Sequence, residues 1–191
     1  MFGNTGTNCE IKNIDIDIQD WVVLIQNGTY VGELVAYNRG KIIAANIRMN
    51  MIKGEKYVGG IAGYNEGIIE NSVIRCESIY SNMEIEGYTG GIAGYNKGTI
   101  KDSDALYVYE IYTKKYVGGV AGYNEGNIIN CDYNTNWPEE GNNNINFKLN
   151  GNNVISIRGI TWEEWNNYWF FTKCDDEYSV VRRLYSRRLW L

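Results

Sequence analysis

The sequence predicts an all-β fold: a parallel β-helix or β-solenoid with coils of about 28 residues, closed at its C-terminal end by a helical, Trp-rich cap. Three observations predict it. A glycine-rich block recurs four times, as YVGELVAYNRGKI from Tyr30, YVGGIAGYNEGII from Tyr57, YTGGIAGYNKGTI from Tyr88 and YVGGVAGYNEGNI from Tyr116. Between blocks run alternating segments rich in β-branched and aromatic residues, such as SVIRCESI from Ser72 and ALYVYEIY from Ala105, which read as strands. The composition holds 22 Gly and 16 Tyr against one Pro, which suits many tight turns between short strands.

Within the block, Tyr57, Tyr88 and Tyr116 open the better copies and the paired glycines Gly59 and Gly60, Gly90 and Gly91, Gly118 and Gly119 follow. Paired glycines predict a bend where the backbones of successive coils approach closely. The Asn-x-Gly element, Asn65 with Gly67, Asn96 with Gly98 and Asn124 with Gly126, reads as a corner whose Asn tolerates positive φ. Copy one is irregular, with Glu33 and Ala36 in glycine positions. Stacked coils would align Tyr37, Tyr64, Tyr95 and Tyr123 in one ladder and Asn38, Asn65, Asn96 and Asn124 in another. The pairs Asn71-Ser72, Asp102-Ser103 and Asn130-Cys131 echo one another. Asn8-Cys9 reads as the same pair in an earlier, partial coil, which makes Cys9 and Cys131 small inward residues rather than nucleophiles.

Residues 1–137 form the solenoid in this reading and 138–191 a loop and capping region. Past Pro138 the chain turns Asn-rich; then Thr161 and Glu164 fit a capping box. Trp162, Trp165 and Trp169 follow at helical spacing as an indole stripe that either covers the last coil or offers a stacking platform to a ligand. The last residues set Val181, Leu184 and Tyr185 on one helical face with Arg182, Arg183, Arg187 and Arg188 around the others. This basic tail binds an anionic membrane or an acidic partner, pairs with Asp175, Asp176 and Glu177, or lies solvated.

Chemistry is sparsely encoded. With no His, the chain lacks the usual general base of triads and the usual ligand of catalytic zinc. Cys9, Cys76, Cys131 and Cys174 include no CxxC pair, and neither an EF-hand loop nor a GGxGxD array is present, so no metal or cofactor is expected. Asp15 with Asp17, and Asp102 with Asp104, are the paired carboxylates that could serve acid–base cleavage of a glycan. A net charge of −5 argues against nucleic acid as a ligand of the body. No stretch is long and apolar enough to span a membrane, and residues 1–10 lack the basic and apolar regions of a secretory signal, so the chain reads as cytosolic or as part of a longer exported protein.

The GGIAGYN(E/K)G core followed by I-x-N-S or N-C resembles the GLUG motif, and the resemblance covers about Tyr30 to Tyr133. The family's repeats occur in bacterial surface and adhesin-like proteins and in non-catalytic regions of IgA-cleaving metallopeptidases. The resemblance implies an extracellular or cell-surface setting and a binding or spacing role toward a protein or glycan. The peptidases' HExxH zinc site has no counterpart here, so their activity is not implied. The leading expectation is a non-enzymatic, adhesin-like module. The alternatives are an intracellular acidic inhibitor that occludes a partner protein, and a β-helical carbohydrate-active enzyme using paired carboxylates.

Overall fold

A computed structural model describes residues 2–18, 23–25, 28–82, 85–106, 108, 110–133, 147–151, 156–158, 169–174 and 177–182. All regular structure among them is β. The chain winds as a solenoid whose equivalent strands pair in parallel, giving three faces. An asparagine face holds Phe2–Asn4, Val35–Asn38, Ala62–Asn65, Ala93–Asn96 and Ala121–Asn124 in that spatial order. A glycine face holds Tyr30–Gly32, Tyr57–Gly59, Tyr88–Gly90 and Tyr116–Gly118, extended antiparallel by Ser156–Arg158, Trp169–Cys174 and Glu177–Arg182. A wide face runs from Glu10–Asp17 through Lys41–Lys53 and its successors to Asn127–Tyr133, against which Phe147–Gly151 lies antiparallel.

The register is that of the repeat. Tyr30, Tyr57, Tyr88 and Tyr116 are direct neighbours, as are Tyr37, Tyr64, Tyr95 and Tyr123. Inside, aliphatic columns stack on themselves, and the wide face holds more than one, with Ile47 on Ile74 and Ile52 on Ile79 as well. Ile42, Ile69 and Ile100 are fully buried on the wide face, as are Leu34, Ile61 and Ile92 where the other two faces meet. No coil could bury these side chains alone, so stacking supplies the core.

Close approach explains the glycines. A Cβ on Gly67 would lie 2.0 Å from the Gly40 carbonyl oxygen, and those on Gly98 and Gly126 would stand equally close to Gly67 and Gly98. The same holds for the paired glycines, where a Cβ on Gly60 would meet the Gly91 oxygen at 2.2 Å. Copy one carries Glu33 at the Gly60 level, and its amide reaches the Gly60 carbonyl at 3.4 Å, against 3.0 Å from Gly60 to Gly91. The larger residue is admitted where the two backbones stand further apart.

Four expectations are corrected. Positive φ falls not on the Asn of Asn-x-Gly but on the column Asn13, Ala44, Asn71, Asp102 and Asn130, between 48° and 55°. Asn65 and its equivalents end strands instead, with their amides buried. Asn8-Cys9 is not the early copy of Asn71-Ser72: Glu10 pairs with Lys41 and Ile14 with Ala45, so Asn13-Ile14 fills that slot and Cys9 stands beside Gly40. In the cap, Trp169 opens the strand Trp169–Cys174, and Arg182 ends the strand Glu177–Arg182. Both segments were expected to be helical. The runs WFFT and YSVV are aromatic and β-branched, types that favour a pleated surface over a helix. Trp162, Trp165, Arg183, Arg187 and Arg188 lie outside the described residues.

Candidate interaction surface

The corner between the glycine and asparagine faces carries two tyrosine ladders side by side. In one, Tyr30, Tyr57, Tyr88 and Tyr116 stack at 5.0, 4.8 and 4.7 Å between ring centroids. In the other, Tyr37, Tyr64 and Tyr95 stack at 4.8 Å, and Tyr123 follows at 5.1 Å with its ring tilted by 39°. Edge-to-face contacts of 5.4 Å between Tyr30 and Tyr37 and 5.6 Å between Tyr57 and Tyr64 join the ladders into one strip of eight rings. Offset and T-shaped arrangements are those the ring quadrupole favours. Stacking consumes the ring faces, so the strip presents ring edges and phenol hydroxyls. Tyr30, at the end of its ladder, is the most exposed at 37%.

Charged side chains frame the strip. The x of each Asn-x-Gly alternates in sign up the stack, Arg39, Glu66, Lys97 and Glu125. Lys97 pairs with Glu125 at 3.8 Å, and the Tyr37 hydroxyl meets Glu66 of the next coil as Tyr64 meets Lys97. Desolvation, helped by the Glu66 carboxylate, pushes the Tyr37 phenol up to about 12. Desolvation also raises Tyr64, Tyr88 and Tyr95, the last reinforced by Glu125. These phenols stay protonated across the physiological range and act as hydrogen-bonding groups, not nucleophiles. On the other flank Lys56 and Lys115 sit 5.3 and 5.0 Å from the Tyr57 and Tyr116 ring centroids. Lys115 also pairs with Glu86 at 2.8 Å.

Beneath the strip runs a buried amide ladder. Asn38 Nδ2 donates to Asn65 Oδ1 at 2.8 Å, Asn65 to Asn96 at 2.7 Å, and Asn96 to Asn124 at 2.7 Å. Thr5 extends it into the partial first coil by donating its hydroxyl to Asn38 Oδ1 at 2.8 Å. A primary amide suits this position because it offers a donor and an acceptor, so identical residues can chain head to tail.

The other sequence-selected groups are dispersed. Asp15 and Asp17 are exposed on the edge strand, and Asp15 accepts from Asn46. Asp102 is exposed at a left-handed turn and accepts from Asn130. Asp104 instead neighbours Asp132 in the next coil, whose backbone N–H donates to it at 3.1 Å. Desolvation raises the Asp104 carboxyl despite that hydrogen bond. Cys131 fills the slot of Ser72 and Ser103, each donating to the carbonyl two residues back. Burial pushes the Cys76 thiol up to about 12 and the Cys131 thiol up to about 11, which removes thiolate character at neutral pH.

Sequence reasoning found each tyrosine ladder's members but missed that the ladders meet. Six residues and a bend separate Tyr30 from Tyr37, and only the three-dimensional corner joins them. The signal was present as two Tyr columns repeated at a fixed offset in all four copies. No family model, curated protein or solved structure matches the chain.

Proposed function

We propose that this protein is a non-enzymatic, adhesin-like module of the GLUG type that holds the tyrosine strip rigidly and presents it to a protein or glycan partner, in an extracellular or cell-surface setting. The observation that carries the reading is the continuity of the eight-ring strip on a corner whose backbone cannot shift without breaking the amide ladder below it. Tyrosine suits such a role because it supplies a large, rigid contact area with a polar tip at low entropic cost. Stacked rings also keep that area ordered before a partner arrives.

The test is capture of ligands from protein and glycan arrays by the purified chain, repeated with Tyr57→Phe/Tyr88→Phe. That variant keeps the stack and removes two hydroxyls. A retained, chemically unaltered ligand whose affinity falls about tenfold in the variant supports the reading. Unchanged affinity would count against the strip as the contact.

A glycan-cleaving reading would centre on Asp104 and Asp132, since their adjacency and the raised Asp104 carboxyl are the feature closest to an acid–base pair. Turnover of an arrayed glycan, abolished by Asp104→Asn or Asp132→Asn, would favour it over the binding module.

A further inference from the structure

The two ends of the solenoid are finished differently. At the C-terminal end, Phe147–Gly151 and Ser156–Arg158 add antiparallel to the last parallel strands. At the N-terminal end the wide face stops at Glu10–Asp17 and Val23–Ile25, which pair side by side with Lys41–Lys53, and Glu10–Asp17 has no further neighbour among the described strands. Exposure follows the same asymmetry. Ile11 and Ile16 are each 8% accessible where Ile42 and Ile47, their neighbours one coil in, are at 0%, and Phe2 stands 48% exposed although it pairs with the fully buried Val35. An unpaired edge beside apolar surface is a ready template for another strand.

We propose that this edge pairs with its own counterpart in a second copy of the chain, forming a head-to-head dimer. The strand's pattern is self-complementary in the required register. Amides that point away from the stack are fixed by the equivalent bonds higher up. Lys41 N–H reaches back to the Cys9 carbonyl, so Glu10 N–H, one coil earlier, points outward. Asp104 N–H reaches back to Ser72, so Asp15 N–H, in the same column, also points outward. Alternation adds Lys12 and Asp17, with the left-handed Asn13 between the two pairs resetting the phase.

A two-fold axis between Asn13 and Ile14 then sets Lys12 opposite Asp15 of the second copy and Glu10 opposite its Asp17. All four outward amide groups meet outward amide groups, as an antiparallel ladder requires. The same register lays Ile11 over Ile16 of the second copy, both facing the core, and joins Lys12 to a carboxylate of opposite charge. Glu10 against Asp17 is a like-charge pair at the rim. The tyrosine strip lies on the opposite corner and stays open in the dimer, so this inference stands apart from the proposed function.

Sedimentation equilibrium of the 191-residue chain across a concentration series tests it. A monomer–dimer equilibrium is expected. Lys12→Asp or Asp15→Lys alone should weaken it at least tenfold, the double variant Lys12→Asp/Asp15→Lys should restore it, and Glu10→Lys should tighten it. These side chains are exposed, and unchanged circular dichroism checks that each variant folds. A chain monomeric at all concentrations, a dimer indifferent to the single substitutions, or a double variant as weak as the singles would each overturn the proposal.

Discussion

From each opening tyrosine to the isoleucine past the corner, Tyr30 to Ile42, Tyr57 to Ile69, Tyr88 to Ile100 and Tyr116 to Ile128, the coils have the same length. On the opposite side Ile42 to Tyr57, Ile69 to Tyr88 and Ile100 to Tyr116 are 15, 19 and 16 residues apart, and the sequences differ freely. The corner is where backbones come closest, glycine hydrogens face carbonyl oxygens and the buried amides must meet one another. The wide face needs only inward aliphatic or small residues at alternating positions, which many sequences supply. Conformity to the repeat thus tracks how little room the backbone has, and substitutions on the two sides can break or sharpen that comparison.

The largest effect is expected at the closest approach. Gly67→Ala puts a methyl 2.0 Å from a backbone oxygen that cannot move aside, and a loss of about 3 kcal/mol or more is expected in denaturant unfolding. Gly3→Ala meets nothing within 4 Å and should leave the midpoint unchanged. Gly3 stands at the open end of the column that holds Ala36 and Gly63, so equal effects would show that close approach between stacked coils is not what holds these positions to glycine. Next comes Asn65→Ala, which strands the donor of Asn38 and the acceptor of Asn96; about 2–3 kcal/mol should be lost.

Glu33 sharpens the comparison within the corner itself. Burial raises its carboxyl above the unfolded value, so the folded chain binds that proton more readily than the unfolded one. Its contribution is fully present below the ordinary carboxylate range and is lost as pH rises through the raised value. Glu33→Gln should therefore raise the melting temperature at pH 7 relative to the parent and change it little at pH 4. A parent-like variant at both pH values would contradict the sign. The smallest effect is expected at Ala44, which holds φ at 53° in a column otherwise filled by Asn and Asp. Ala44→Gly should stabilise by about 0.5–1 kcal/mol, read as a shift of the unfolding midpoint at constant slope.

The repeat made the architecture legible, since ladders of identical residues follow once coils stack at one period. The role of Asn65 and its equivalents was less legible, because Asn beside Gly is equally a turn signal and a ladder amide. Substitution pattern separates the two. The turn column tolerates Asn13, Ala44 and Asp102, as left-handed backbone demands only a small or locally bonding residue, whereas all four ladder amides are Asn because only a primary amide propagates the chain. Misreading Trp169 as helical had another cause. Tryptophans at i, i+3 and i+7 satisfy helical spacing, but the run WFFT is aromatic and β-branched, types that favour a pleated surface, and WFFTKC forms a strand.

Parallel, in-register stacking underlies all of this, and disulfide trapping reads it directly. With Cys9, Cys76, Cys131 and Cys174 replaced by Ser, cysteines are placed at the paired positions Thr99 and Asn127, or at Thr99 and Ile129, two residues out of register. Neighbouring parallel strands hold paired Cα atoms about 4.8 Å apart, inside the disulfide range, while the offset pair lies beyond about 7 Å. Rapid oxidation of the Thr99→Cys/Asn127→Cys chain with slow oxidation of the Thr99→Cys/Ile129→Cys chain is the predicted result. Equal rates, or faster closure of the offset pair, would contradict the stacked-coil fold.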